Sequence, residues 1–415
     1  MLRPSAAGKE TPTVTSQFSP FAPGIDADPY PAYRALRESD PIHYSPLLDA
    51  WVLTRYDDIA FVLSDPRFSA NRRQARNRFA QMAELQQLEE RFGPFGRAPT
   101  MLTSDPPQHT RLRRLVSKAF TARAVEDLRP RIAAIVDSLL GAVRESDRFD
   151  IVTDLAYPLP VIVIAEMLGV PPEDRSQFKR WSDDVVATLG GPFAGPEVIQ
   201  RGAEAVQQLA EYLREIIAQR RRQPRPDLIS GLIAAEEQGQ VLSEDEILAT
   251  GMLLLIAGNE TTTNLIANGM LALFRHPDEL QRLRRNPTLI RPGVEELLRY
   301  AGPVQGTARV ATADVSIGGR TVSAGQLVFV LIAAANRDPA KFPNPEDLDI
   351  TRHPNEHLAV GDGIHFCLGA PLARAEAQTA IGALVQRFPH LQLDGQPQWG
   401  GTFIIRGVKS LPVRP

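Results

Sequence analysis

Between Ser243 and Pro277 the chain carries one unbroken helical pattern. It opens on the capping box Ser243-Glu-Asp-Glu246 and closes at His276-Pro277. The run is about 32 residues, roughly 48 Å at 1.5 Å per residue, enough to cross a whole domain. It is apolar around much of its circumference, so it has to be buried, and the rest of the chain must pack around it. Val125, Leu128, Ile132, Ile135, Leu139 and Val143 follow a second helical face, with Pro130 predicted to delay or kink it. Helical patterns dominate to about Tyr300. Short β segments follow at Val315–Ile317, Arg320–Val322 and Leu327–Ile332, and a final helix is expected from Pro371 to Phe388.

No internal repeat or interdomain linker interrupts the 415 residues. A hydrophobic share of 43% with 23% charged residues is ordinary for a soluble globular chain and excludes bulk disorder. The net charge of -3 argues against a nucleic-acid binder. Residues 1–20 read as a flexible tail and 21–415 as one domain. The N-terminus has no signal-peptide pattern, and the apolar run Met252–Ala257 is far short of the roughly 20 residues a membrane span needs. The lone Cys367 fits a reducing compartment, so a cytoplasmic, monomeric protein is expected.

Cys367 sits in the loop Val360-Gly-Asp-Gly-Ile-His365-Phe-Cys367-Leu-Gly369, just ahead of a helix. A lone cysteine is usually a small buried hydrophobe. Here glycines permit tight turns and close approach, and the helix N-terminus stabilises a thiolate. The loop therefore suits a nucleophile or a metal ligand. A second site is Ala257-Gly258-Asn259-Glu260-Thr261-Thr262, in the middle of the long helix. A carboxylate there needs a reason, because burying it unpaired is costly. Gly258 would let something large and flat approach the backbone. Glu296 and Arg299 share a helix face at i, i+3. His353 and His357 are poor zinc candidates, since Pro354 breaks the helix that would align them.

The loop closely resembles the haem-binding loop of the cytochrome P450 family, F-G-x-G-x-H-x-C-x-G, with Val360 standing where the family usually has Phe. The helix segment matches the family's A-G-x-[DE]-T-T motif, and Glu296-x-x-Arg299 lies between the two, as in the family. The resemblance runs from about Asp28 to Ile405. It implies a mainly α fold, a single large helical domain with small β-sheets. It implies haem b, with Cys367 as the iron's thiolate ligand, an arrangement that favours dioxygen cleavage. Gly369, Ala257 and Gly258 would flank the haem. His109, Arg113, Arg309 and His365 would pair with its propionates, since buried carboxylates need cations. Thr261 and Glu260 would be the alcohol and acid that manage proton delivery, and Glu296, Arg299 and Arg352 a structural anchor.

The activity implied is that of a haem-thiolate monooxygenase, inserting one atom of dioxygen into a hydrophobic organic molecule by hydroxylation or epoxidation. Electrons would come from a separate ferredoxin and ferredoxin reductase with NAD(P)H, and the basic run Arg111, Arg113, Arg114 and Lys118 would steer an acidic ferredoxin. By position, Leu254, Val304, Gln305, Phe403 and Ile404 would line the substrate pocket, with the loop 69–103 and the region 185–202. A peroxide-driven peroxygenase and a haem-thiolate sensor are alternatives. Neither needs the Glu260–Thr261 pair.

Overall fold

Ser243 Oγ accepts the Glu246 backbone N–H at 3.2 Å, and the Glu246 carboxylate accepts the Ser243 N–H at 2.9 Å. This reciprocal cap opens a helix of 32 residues, Glu244–Arg275. The computed structural model describes residues 18–77, 92, 98–141, 143, 148–188, 195–237 and 239–415. Residues 1–17 of the expected tail lie outside them, as do 78–91 and 93–97 of the 69–103 loop and 189–194 of the 185–202 region.

The helices before the long one are α1 (Tyr30–Ser39), α2 (Tyr56–Ser64), α3 (Gln108–Ala119), α4 (Ala122–Gly141), α5 (Pro158–Leu168), α6 (Arg175–Ala187), α7 (Pro196–Arg222) and α8 (Leu228–Ala234). The long helix is α9 (Glu244–Arg275), followed by α10 (Pro277–Arg285), α11 (Ile290–Ala301), α12 (Ile332–Ala335) and α13 (Ala370–Arg387). The helix α4 starts at Ala122 and runs on across Pro130, so the late start does not occur. One apolar face, with Val125, Ile132, Ile135, Val136 and Leu140 buried, carries it past the missing N–H.

The strands are β1 (Ile42–Ser45), β2 (Ala50–Leu53), β3 (Phe68–Ser69), β4 (Phe149–Asp150), β5 (Glu236–Glu237), β6 (Gln240–Val241) and β7 (Thr307–Ala311). After them come β8 (Val315–Ile317), β9 (Arg320–Val322), β10 (Leu327–Val330), β11 (Gln392–Leu393), β12 (Gln398–Gly401), β13 (Arg406–Ser410) and β14 (Pro412–Arg414). The largest sheet has the order β1-β2-β10-β7-β3 and is antiparallel except where β10 runs parallel to β2. The others are small: β11-β14-β4 and the hairpins β5-β6, β8-β9 and β12-β13.

The main core surrounds α9, which packs on α5, α11, α13 and β13. Leu255, Ile266, Met270 and Leu273 are completely buried. Each such side chain contributes about 1.5–3 kcal/mol by leaving water. No described helix is long and apolar enough to cross a membrane.

A second buried centre is ionic. Glu296 and Arg299 on α11 pair at 2.7 Å with both side chains at 0% exposure. Arg299 donates all five of its N–H groups: two to Glu296, and one each to the carbonyls of Asn336, Pro345 and Asp347. Glu296 also accepts from the Asp349 N–H, Arg352 Nε and Asn355 Nδ2 at 3.0–3.1 Å. Losing one side of such a pair strands the other and costs about 3–5 kcal/mol, against a typical folding margin of about 5–15 kcal/mol. Glu296→Ala and Arg299→Ala should therefore each lower the melting temperature sharply and yield little haem-loaded protein. Normal melting in both would show that the cluster is dispensable.

Candidate active site

Every residue of α9 from Glu246 to Leu273 is buried except Ala257, Gly258 and Thr261. Their i, i+1, i+4 spacing places these three on one face, forming a single notch in an otherwise covered helix. A Cβ built on Gly258 would meet nothing within 4 Å. Thr261 Oγ1 donates to the Ala257 carbonyl at 2.7 Å, which leaves its lone pairs free to accept a hydrogen bond.

The cysteine loop is shaped by Gly361 and Gly363, at φ +76° and +63°, a left-handed backbone that side chains resist. The Cys367 N–H bonds the Val360 carbonyl at 2.9 Å. Burial pushes the thiol up, opposed by the N–H groups of Gly369 and Ala370 at the start of α13 and by Arg113 and Arg374. By surface area Cys367 is nonetheless exposed. The two observations fit a side chain that opens onto a recess walled by protein. In the second turn of α13, Glu376 hydrogen-bonds Thr262, beside Thr261. The helix that follows the cysteine is thus held against the turn that carries the notch.

Basic side chains gather here from separate segments. His109 on α3 and His365 in the cysteine loop have ring centroids 4.4 Å apart. Burial, then Arg309 and His109, pushes His365 down to about 4. Burial, then Arg113, lowers His109, whose buried Nε2 has no partner among the described residues. Burial, then Arg72, brings Arg309 down to about 10. Asp105 is the one carboxylate that opposes these shifts, and it is already bonded to Ser69 Oγ and the Ala70 N–H. Arg72 escaped the sequence reading. It donates to Thr307 Oγ1 at 2.9 Å and to the Ala308 carbonyl at 3.4 Å, on β7, the strand that carries Arg309.

A cluster of Arg and His donors short of anions, an open notch in a buried helix and an exposed thiol at the start of α13 fit a flat, metal-bearing group with two carboxylates. They fit haem.

Glu260, although next to Thr261, points elsewhere. Its Oε1 accepts from Lys409 Nζ at 2.6 Å and from Asn264 Nδ2 at 3.1 Å. Successive helical residues diverge by about 100°, so the two face different sides of α9. Glu260 lines a cavity of about 940 Å³, together with Gln305, Phe403 and Phe21. Leu254, Val304 and Ile404 are not among its lining. Leu254 belongs to the helical core, Val304 bridges to Ile405, and the Ile404 carbonyl accepts the Gln305 N–H at 2.7 Å. On α3, Arg111 is tied to Glu246 and Lys118 donates to the Glu236 carbonyl, while Arg114 is exposed.

The family model described as Cytochrome P450 matches residues 48–399, and the chain belongs to that family. The chain is 44% identical over 375 residues to cytochrome P450 CYP107DY1 of Priestia megaterium, covering 89% of this chain and 90% of that one. It is also 44% identical over 398 residues to the cytochrome P450 monooxygenase PikC of Streptomyces venezuelae, covering 94% and 91%. The solved structure of the Bacillus subtilis bacillaene polyketide synthase cytochrome P450 PksS superposes with a TM-score of 0.88 at 40% identity, covering 96% of this chain and 99% of that one. The protein is a haem-thiolate monooxygenase that uses haem b, acts on small organic substrates and draws electrons from separate redox partners.

Glu376 also escaped the sequence reading. Burial lifts its carboxyl to about 8, with the Thr262 bond opposing, so it is neutral at pH 7. Unfolded, it ionises near the ordinary 4.5. The folded state holds a proton that the unfolded state releases, so the native protein loses stability as pH rises from 4.5 through 8. Glu376→Gln should remove that loss. Its unfolding free energy should match the wild type near pH 4.5 and exceed it increasingly up to about pH 8, by a few kcal/mol in order of magnitude. A pH-independent difference would contradict the buried neutral acid.

Proposed function

We propose that Cys367 binds the haem iron through its sulfur, an assignment carried by an exposed thiol held by the N–H groups at the start of α13, the helix that packs on α9. Bound there, the haem supplies the redox chemistry of dioxygen cleavage. Gly369 lets the chain turn beside the sulfur, and the N–H groups of Gly369 and Ala370 hold the thiolate. His109, Arg113, Arg309 and His365 pair with the two propionates, and Arg72 completes this set. Ala257 and Gly258 leave room for the flat ring.

Thr261 is the hydrogen-bond acceptor that orients water in the notch, and Glu260 is the acid that brings protons to that side of the helix. Glu296, Arg299 and Arg352 hold the chain that leads to the cysteine. Val360 makes a smaller neighbour for the sulfur than Phe.

The donors are a ferredoxin and its reductase with NAD(P)H, docked beside Arg114 on α3. The protein works in the cytoplasm as a monomer, with residues 21–415 as its domain. Leu254, Val304, Gln305, Phe403 and Ile404 bound the substrate's approach. A hydrophobic substrate of fatty-acyl or steroid size suits these residues. In support, one similar structure is P450BioI in complex with acyl carrier protein ligated by hexadec-9Z-enoic acid, and another is CYP109E1 in complex with testosterone. Titrating fatty acids, steroids and macrolactones while following the haem spin state selects among these classes. A spin shift with none of them overturns the size assignment.

The reduced protein under carbon monoxide should show the long-wavelength Soret band of thiolate ligation. Cys367→Ser should abolish it, and a persisting band would remove Cys367 from the iron. Thr261→Ala should keep substrate binding and divert electrons to peroxide, read as product formed per NAD(P)H consumed. Unchanged coupling would take Thr261 out of the proton path.

A further inference from the structure

The hairpin β12–β13 is regular except at one residue. Trp399 pairs with Val408 and Gln398 with Ser410, which leaves Lys409 as the extra residue of a β-bulge. Bulges re-aim side chains and are common beside active sites. Here the bulge sends Lys409 from the C-terminal hairpin to the middle of α9, where Nζ meets Glu260 Oε1 at 2.6 Å. Two glycines make the approach possible. A Cβ on Gly407 would collide with the Asn264 side chain, so β13 lies directly on α9 one turn beyond Glu260. A Cβ on Gly400 would fall 2.6 Å from Lys409 Cγ, so β12 leaves space for the lysine stem. Asn264 donates to the same Oε1 from one turn along α9. The carboxylate is thereby held through one oxygen, and Oε2 takes no hydrogen bond from any described residue.

Part of the space around that carboxylate is polar. Glu260, Thr263, Asn264 and Lys409 line the 940 Å³ cavity together with Tyr157, Lys179 and Asp183. Tyr157 donates to Asp183, and Lys179 lies 3.9 Å above the Tyr157 ring. Thr263 Oγ1 and Asn264 Oδ1 are buried without partners among the described residues. A roomy cavity with orphaned polar atoms holds water. The Asp183 side chain is 45% exposed, so this wall reaches the surface.

We propose that Lys409 is a positioning residue that holds the Glu260 carboxylate against the water of this cavity, so that protons enter from behind α9 and leave toward Thr261. The proposal rests on reading Glu260 as the relay acid. In each transfer the carboxylate takes a proton from hydronium in the cavity, leaving water, and gives a proton up to water on the Thr261 side. It ends as carboxylate. Lys409 stays an ammonium ion throughout and transfers nothing. Without it, the carboxylate keeps only Asn264 and turns away from the water.

The test uses the haem-loaded protein with its redox partners and compares Lys409→Met, Lys409→Arg, Glu260→Gln and the double variant Glu260→Gln/Lys409→Met. Haem content and substrate-induced spin shift report integrity. Product formation in H2O and D2O reports the proton step. Lys409→Met should keep haem and spin shift, form product roughly tenfold more slowly and show a larger solvent isotope effect. Lys409→Arg should restore the wild-type values, and Lys409→Met should add nothing to Glu260→Gln. A wild-type rate and isotope effect in Lys409→Met beside a slow Glu260→Gln overturns the role of Lys409. A wild-type Glu260→Gln overturns the relay reading itself, and the proposal with it. Should Lys409→Met not load haem, Gly400→Ala crowds the lysine stem with the charge intact. It should slow turnover with the same rise in isotope effect, and wild-type values there overturn the proposal.

Discussion

The Arg299 guanidinium is the interaction on which the rest of the molecule hangs. Between α12 and α13 the chain runs more than thirty residues, from Asn336 to Gly369, with only one short turn of helix at Gly363–His365. A segment of that kind has no ladder and no helix ladder of its own to satisfy its carbonyls, and it carries the cysteine at its end. Arg299 supplies the missing donors to three of those carbonyls, and Glu296 anchors the Asp349 N–H, Arg352 and Asn355. A surface ion pair at the same spacing would contribute under about 1 kcal/mol. Here the pair is buried and every guanidinium N–H is used, so it sets the course of an irregular chain.

The same economy of anions explains the opposite behaviour near the cysteine loop. At Arg299 each charge is matched within the protein. At Arg309 it is not, and burial brings that guanidinium down to about 10, while His365 beside it is pushed down to about 4 and is neutral at pH 7. A desolvated cation without an anion opposes folding.

What could be read in advance follows from the range over which each signal acts. The long helix was legible because a capping box, an apolar run and a proline stop are all local, and α9 begins and ends where they do. The opening at Gly258 was legible too, since a glycine in a buried helix removes the side chain there, but the exposed face it shares with Ala257 and Thr261 was not. Glu296 and Arg299 could be paired from i, i+3, but nothing local told their burial. Arg72, Glu376 and Lys409 were invisible for a common reason. Each acquires its partner through a strand pairing, a helix crossing or a bulge that joins residues from 114 to 237 positions apart. At Pro130 a local penalty was outweighed by the buried face of α4, so the helix begins before the proline rather than after it.

The pairing of Glu260 with Thr261 shows how adjacency in sequence differs from adjacency in chemistry. Side by side on a helix, they look out on different sides of it. One side is the notch of Ala257, Gly258 and Thr261. The other is the cavity of about 940 Å³, where Lys409 and Asn264 hold the carboxylate. A helix turns about 100° per residue, so it aims an acid and the neighbouring alcohol at different sides while both stay close enough for water to carry a proton between them. A strand alternates its side chains strictly and would put the thickness of a sheet between the two groups; a loop would not hold either angle.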